Sequence, residues 1–243
     1  MLERPSSHTE ETIRTAADLS PQGDVTRPIA AEALGAGLLA FATVAAGILA
    51  ERFSGGSVGL AMLATALTAA AAFAALAQTL GGAARSSFNP GLALGLALSR
   101  KIPLGFALVS AASQMAAAML GVVVAHMVTN TGFVQVATAI QSGPPVWVGE
   151  FIGAALVIFV LLRLTAASMR LTSVFGGLAM LAVALATPSL SLANPAVTLA
   201  RGLTDSFTAI RLTDAVVIVL CQFAGALAAW LLQWWLFADE ARG

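Results

Sequence analysis

Long apolar runs, separated by short polar or Gly- and Pro-containing joints, fill the chain from about residue 28 onward. No Asp, Glu, Lys or Arg falls in 53–84, 102–149, 171–200 or 215–238. The hydrocarbon core of a bilayer is about 30 Å thick, and a helix needs roughly 20 mostly apolar residues to cross it. Six stretches come close to that length: about 28–50, 59–80, 104–126, 147–164, 171–187 and 214–237, the fourth and fifth being short. They are rich in Ala, Leu, Val and Gly and do not alternate with period two, so they predict helices rather than barrel strands. The expected fold class is an all-α membrane protein whose many small residues let helices approach closely.

Composition and charge sharpen this picture. The 243 residues carry 12 basic and 12 acidic side chains, and 58% belong to the hydrophobic set. A water-soluble enzyme spreads charge over its surface, and a nucleic-acid binder carries a basic footprint; neither pattern is present, so no nucleic acid is expected as a partner. Residues 1–27 hold five acids and three arginines with few large apolar groups, and read as a disordered tail. No signal or transit segment is indicated there. Residues 239–243 form a second short tail. With both termini on one side, that side holds Arg4, Arg14, Arg27, Arg85, Arg100, Lys101, Arg163, Arg170 and Arg242, against Arg52, Arg201 and Arg211 on the other. The excess of Lys and Arg puts both termini on the cytoplasmic side, and the short chain without Tyr is compatible with a bacterial inner membrane, that is, a plasma membrane.

An internal repeat organises the six spans. Glu32-Ala33-Leu34-Gly35-Ala36 opens the first and Glu150-Phe151-Ile152-Gly153-Ala154 the fourth. Asn89-Pro90-Gly91 follows the second and Asn194-Pro195-Ala196 the fifth; Gln114 lies in the third and Gln222 in the sixth. Three spans per repeat is an odd number, so the second copy (about 146–238) enters the membrane from the opposite face to the first (about 28–127).

Asn is a favoured helix N-cap, and Pro is tolerated at the first helical position. Each Asn-Pro pair therefore starts a helix, about 89–98 and 194–203. At 1.5 Å per residue these are roughly 15 Å long, half a bilayer. Two re-entrant half-helices, one from each face and meeting tip to tip, satisfy both lengths. Helix N-termini carry partial positive charge and unpaired N–H groups, and the two Asn amides add up to two donors each. A wet site at that junction would hold a solute by its oxygen lone pairs and repel a cation.

These residues resemble the aquaporins, or major intrinsic proteins, over about 28–237. The paired Asn-Pro boxes, the Glu residues early in spans one and four, and the Gln residues in spans three and six carry the resemblance. It implies six tilted helices with two half-helices, one pore per subunit and a homotetramer. It also implies that Asn89 and Asn194 bind the permeating molecule while Glu32 and Glu150, with Gln114 and Gln222, brace loop backbone. No cofactor is implied.

Two positions depart from the family pattern. Gly91 stands where the family usually has Ala, a difference of at most about 1 kcal/mol at a helix start. Val197 follows the second box where most members have an Arg, and Arg201, one turn further out, is not taken as its substitute. Ungapped spacing from the boxes places the other filter positions at Ala69, Ala182 and Ser191. A constriction of Ala69, Ala182, Ser191 and Val197 would be wide and mostly apolar. The expected function is a passive channel for water and small uncharged solutes (glycerol, urea or undissociated metalloid hydroxides) that excludes ions. The alternative is an ion-coupled secondary transporter with Glu32 and Glu150 as ion sites.

The remaining candidates have plainer readings. His126 reads as an interfacial side chain and His8 as a tail residue with no metal-ligand spacing, so no metal site is expected. Cys221 reads as a small buried side chain, and Trp230, Trp234 and Trp235 as an aromatic anchor. Arg201 and Asp205, four apart, read as a surface pair. A membrane-embedded enzyme would need a nucleophile–base pair or metal ligands within the spans, which offer many Ser and Thr but no base beyond the Glu residues and the terminal His126.

Overall fold

A computed structural model describes residues 25–85, 87–165 and 167–238. Of the tails read at 1–27 and 239–243, residues 1–24 and 239–243, with His8, Arg4, Arg14 and Arg242, lie outside these residues, while Thr26 and Arg27 already belong to the first helix. Six helices long and apolar enough to cross a membrane are present among the described residues: α1 Thr26–Phe53, α2 Val58–Leu80, α4 Leu104–Val128, α5 Pro144–Leu164, α6 Met169–Ala186 and α8 Leu212–Leu236. Each runs within three residues of its expected bounds. Between α2 and α4 lies the half-helix α3, Pro90–Leu98; between α6 and α8 lies α7, Pro195–Ala200, continued by one 3-10 turn, Arg201–Leu203.

The packing repeats itself. α1 packs on α4 as α5 packs on α8, α1 touches α2 as α5 touches α6, and α2 against α6 joins the two halves. Small residues set the first pair of contacts. A Cβ on Gly121 of α4 would fall 2.1 Å from the Gly37 carbonyl oxygen of α1, and one on Gly225 of α8 would fall 2.3 Å from that of Phe151 on α5. At both places two helix backbones meet with no room for a side chain, the mode of contact that membrane helices favour.

Outward faces are apolar, with Leu60, Leu120, Ile152 and Leu220 all exposed, as lipid contact requires. Trp234 and Trp235 are exposed at the end of α8, whereas Trp230 is partly buried against the core. Cys221 is half-buried rather than enclosed. The half-helices lie inside the bundle: α3 packs on α4, α5 and α8, and α7 on α4, α8 and α1. Each therefore rests on both repeats, and their tips are brought together at its centre.

Candidate functional site

Asn89 and Asn194 cap the two half-helices in the same way. Asn89 Oδ1 accepts from Gly91 N at 2.8 Å and Leu92 N at 3.4 Å; Asn194 Oδ1 accepts from Ala196 N at 3.0 Å and Val197 N at 3.4 Å. Each amide then reaches across. Asn89 Nδ2 donates to the Ala193 carbonyl and Asn194 Nδ2 to the Phe88 carbonyl, both at 2.9 Å. An amide carries two N–H groups, and one per Asn is engaged in this reciprocal clasp.

The clasp depends on unusual backbone. Phe88 (φ 62°) and Ala193 (φ 51°), the residues just before each Asn, are left-handed although neither is Gly. That conformation costs of order 1–3 kcal/mol and persists where surroundings over-determine it. Here each such residue turns its carbonyl toward the opposite half-helix. The Phe88 ring also fills the space left by Gly35, where a Cβ would fall 2.0 Å from the ring.

Behind each tip stands a buried acid. Glu32 accepts from Arg85 N at 2.6 Å, Phe88 N at 2.8 Å and Gln114 Nε2 at 2.7 Å. Glu150 accepts from the hydroxyls of Ser189 and Ser191, each at 2.5 Å, and from Gln222 Nε2 at 2.8 Å. Gln222 Nε2 also reaches Thr198 Oγ1 at 2.9 Å, on the second half-helix. The acids thus hold the loops that enter the half-helices, and the Gln residues hold the acids.

The filter positions fare differently from one another. Ala69, Ser191 and Val197 are buried in the interior. The Ser191 hydroxyl proton goes to Glu150, and its Oγ accepts from Ala193 N at 3.0 Å. Ala182 does not join them: it is exposed on the outward stripe of α6 with Leu178 and Leu185. The residue of α6 that turns inward beside Ser191 is Val183, since both lie within 4 Å of where a Gly153 Cβ would be. A helix turns by 100° per residue, so a slip of one position exchanges an inward side chain for a lipid-facing one. A Cβ on Gly91 would meet Asn89 Oδ1, Ala226 and Ile158. Both Asn residues are 0% exposed, so in this conformation no water-sized sphere rests against either amide.

Two side chains read as peripheral are interior. His126 is fully buried, with Nδ1 3.0 Å from the Phe133 carbonyl and Nε2 2.9 Å from Thr204 Oγ1. A carbonyl only accepts, so Nδ1 carries a proton. Arg201 is 2% exposed and makes no surface pair with Asp205, whose Oδ1 accepts instead from Thr138 N and Oγ1. Sequence spacing missed the segment 130–143 altogether. It lies along 202–211 through Gln135 N to Leu203 O, Ala137 N to Gly202 O and Arg211 N to Ala139 O. Beside it, at the end of the fold to which α7 leads, a cavity of about 210 Å³ is lined by residues that include Glu51, Arg52, Gln135, Asp205 and Ser206.

Comparison with known proteins agrees with this geometry. The family profile described as Major intrinsic protein matches residues 20–187, which include the first Asn-Pro box and end before the second. A curated relative from Rhizobium meliloti (strain 1021), Aquaglyceroporin AqpS, is 32% identical over 213 residues, covering 88% of this chain and 91% of its own. The X-ray structure of the aquaglyceroporin from Plasmodium falciparum superposes with a TM-score of 0.63 at 17% identity, covering 86% of this chain and 96% of that one. At that identity the likeness is one of fold.

Proposed function

The chain belongs to the major intrinsic protein family, channels rather than enzymes, and on that premise we propose a passive, wide-mouthed channel for uncharged solutes of the size of glycerol, urea and undissociated metalloid hydroxides, with water passing too and ions excluded. The observation that carries the reading is the reciprocal clasp of Asn89 and Asn194. It fixes two amides and two helix N-termini at one point, with N–H donors to offer an oxygen lone pair. Donors of one polarity suit neutral acceptors and oppose cations. Breadth follows from the filter. Ala69, Ser191 and Val197, with Val183 in the place first given to Ala182, contribute no aromatic ring and no side chain longer than Val. The Rhizobium relative's name, an aquaglyceroporin, points the same way.

The transporter alternative needs Glu32 and Glu150 as exchangeable ion sites. Both carboxylates are instead 0% exposed and bonded to loop and Gln donors, which supports a bracing role. The subunit is proposed to work as one pore of a homotetramer, with both termini cytoplasmic in a bacterial inner membrane. Stopped-flow swelling of proteoliposomes under gradients of water, glycerol, urea and arsenous acid tests the reading. Flux of glycerol and urea well above that of empty vesicles is expected. Water flux with neither solute passing would remove the wide mouth, and no flux of any kind would remove the channel.

A further inference from the structure

Arg201 is a buried cation that the channel reading leaves without a task. It sits on the 3-10 turn that continues α7, seven residues past Asn194 and one turn beyond Val197. All three of its hydrogen bonds go to backbone carbonyls: Nε to Thr208 at 2.6 Å, Nη1 to Leu190 at 3.2 Å and Nη2 to Ser189 at 2.8 Å. Long side chains on a helix lean toward its N-terminus. The guanidinium does so here, since Ser189 and Leu190 precede the second Asn-Pro box and belong to the loop that carries Ser191 and Ala193. The guanidinium therefore ties the loop that enters the half-helix, through Ser189 and Leu190, to the segment that follows it, through Thr208.

The first repeat supplies a comparison within the molecule. Seven residues past Asn89 stands Leu96, buried and apolar. The cation is thus an addition to the outer half alone, at the repeat whose box is followed by Val197 rather than Arg. A charge kept within a membrane is costly and marks a function by default. Ser189 shows what it balances: its hydroxyl donates to Glu150 and its carbonyl accepts from Arg201, so an anion and a cation flank one serine.

We propose that Arg201 is the specificity-determining cation of the outer half of the passage, supplying from one turn further out the barrier to cations that Val197 cannot. This inference rests on the channel reading. Backbone carbonyls beside a narrow passage are natural cation ligands; the guanidinium occupies those of Ser189 and Leu190 and offsets the charge of Glu150. A neutral solute is little affected by that field. Because the side chain is packed into the wall, it excludes charge without narrowing the mouth, which reconciles a wide filter with ion exclusion.

The full-length protein in proteoliposomes separates the possibilities, with proton and potassium leak read by dye and glycerol flux by swelling on the same vesicles. Wild type and Arg201→Lys, which keeps the charge, should both be tight to cations. Arg201→Leu, which copies the first repeat, should raise cation leak by about tenfold or more while glycerol flux stays within about twofold. Where Arg201→Leu does not reconstitute, Arg201→Gln decides, because it keeps N–H donors for the two carbonyls and loses the charge. Leak in Gln but not in Lys supports the proposal. Tightness in every uncharged variant overturns it, and so does equal leak in Lys and Leu, which would make Arg201 a loop pin. Wild type that passes glycerol yet leaks cations overturns the inference alone; wild type that passes no glycerol overturns the channel reading beneath it.

Discussion

The two buried acids illustrate what a repeated residue does and does not reveal. Glu32 and Glu150 recur at matching points with Gln114 and Gln222, and the structure joins each acid to its Gln. The other partners seen among the described residues differ: backbone N–H groups of Arg85 and Phe88 for Glu32, serine hydroxyls for Glu150. That difference was not legible, because it depends on the paths of the loops before Asn89 and Asn194, where Ser87, Phe88, Leu190 and Ala193 take left-handed conformations that no Gly announces. It has a consequence for Glu32→Gln. A hydroxyl can rotate and accept, whereas a backbone N–H only donates. The new amide nitrogen must face either Arg85 N or Phe88 N and leave it unpaired. The expected cost is about 1–3 kcal/mol, read as a lower midpoint of thermal unfolding in detergent, and an unchanged midpoint would remove the bracing role of Glu32. Arg201 teaches the opposite lesson. Its spacing from Asp205 suits a surface pair on a continuous helix, but the chain leaves the α-helix at Ala200, and the side chain turns inward.

At the scale of elements, the helices were legible because length, apolarity and Asn-Pro caps are local. The segment 130–143 was not, since its order comes from distant backbone partners and two acids. Asp205 Oδ1 accepts from Thr138 N and Oγ1, and Asp214 Oδ2 accepts from Gln141 N. The two Thr138 donors favour the ionised form and hold the Asp205 carboxyl below its usual range. With the folded value depressed, the tie is fully present above the ordinary carboxylate pKa of about 4 and is lost as pH falls through the lowered folded value. Hydrogen exchange at the Thr138 amide, corrected for intrinsic rate, should stay protected from neutral pH down to about 4 and rise only below it. Asp205→Asn should weaken protection at neutral pH and abolish the acid transition. Protection that is lost between pH 7 and 5 would contradict the assignment.

For the whole molecule, the inverted repeat is the feature from which the rest could be placed, and its limit is register. Counting back twelve residues from Asn194 to Ala182 ran through a loop, and one position of slip put the chosen residue on the lipid face in place of Val183. The same symmetry bears on how the molecule transports. Alternating access requires one repeat to rock against the other around a site. Here each half-helix packs on helices of both repeats, and the two Asn side chains bond across the junction. Rocking would break both bonds of the clasp together, whereas passage needs only local displacement of side chains around the amides. Flux should therefore rise linearly with the solute gradient, run equally fast in either direction and ignore an imposed proton or sodium gradient. Initial rates in proteoliposomes over a wide range of glycerol concentration, with and without such a gradient, measure this. Saturation together with acceleration by the ion gradient would show that the halves move as gates, and Glu32 and Glu150 would then be the first residues to re-examine as ion sites.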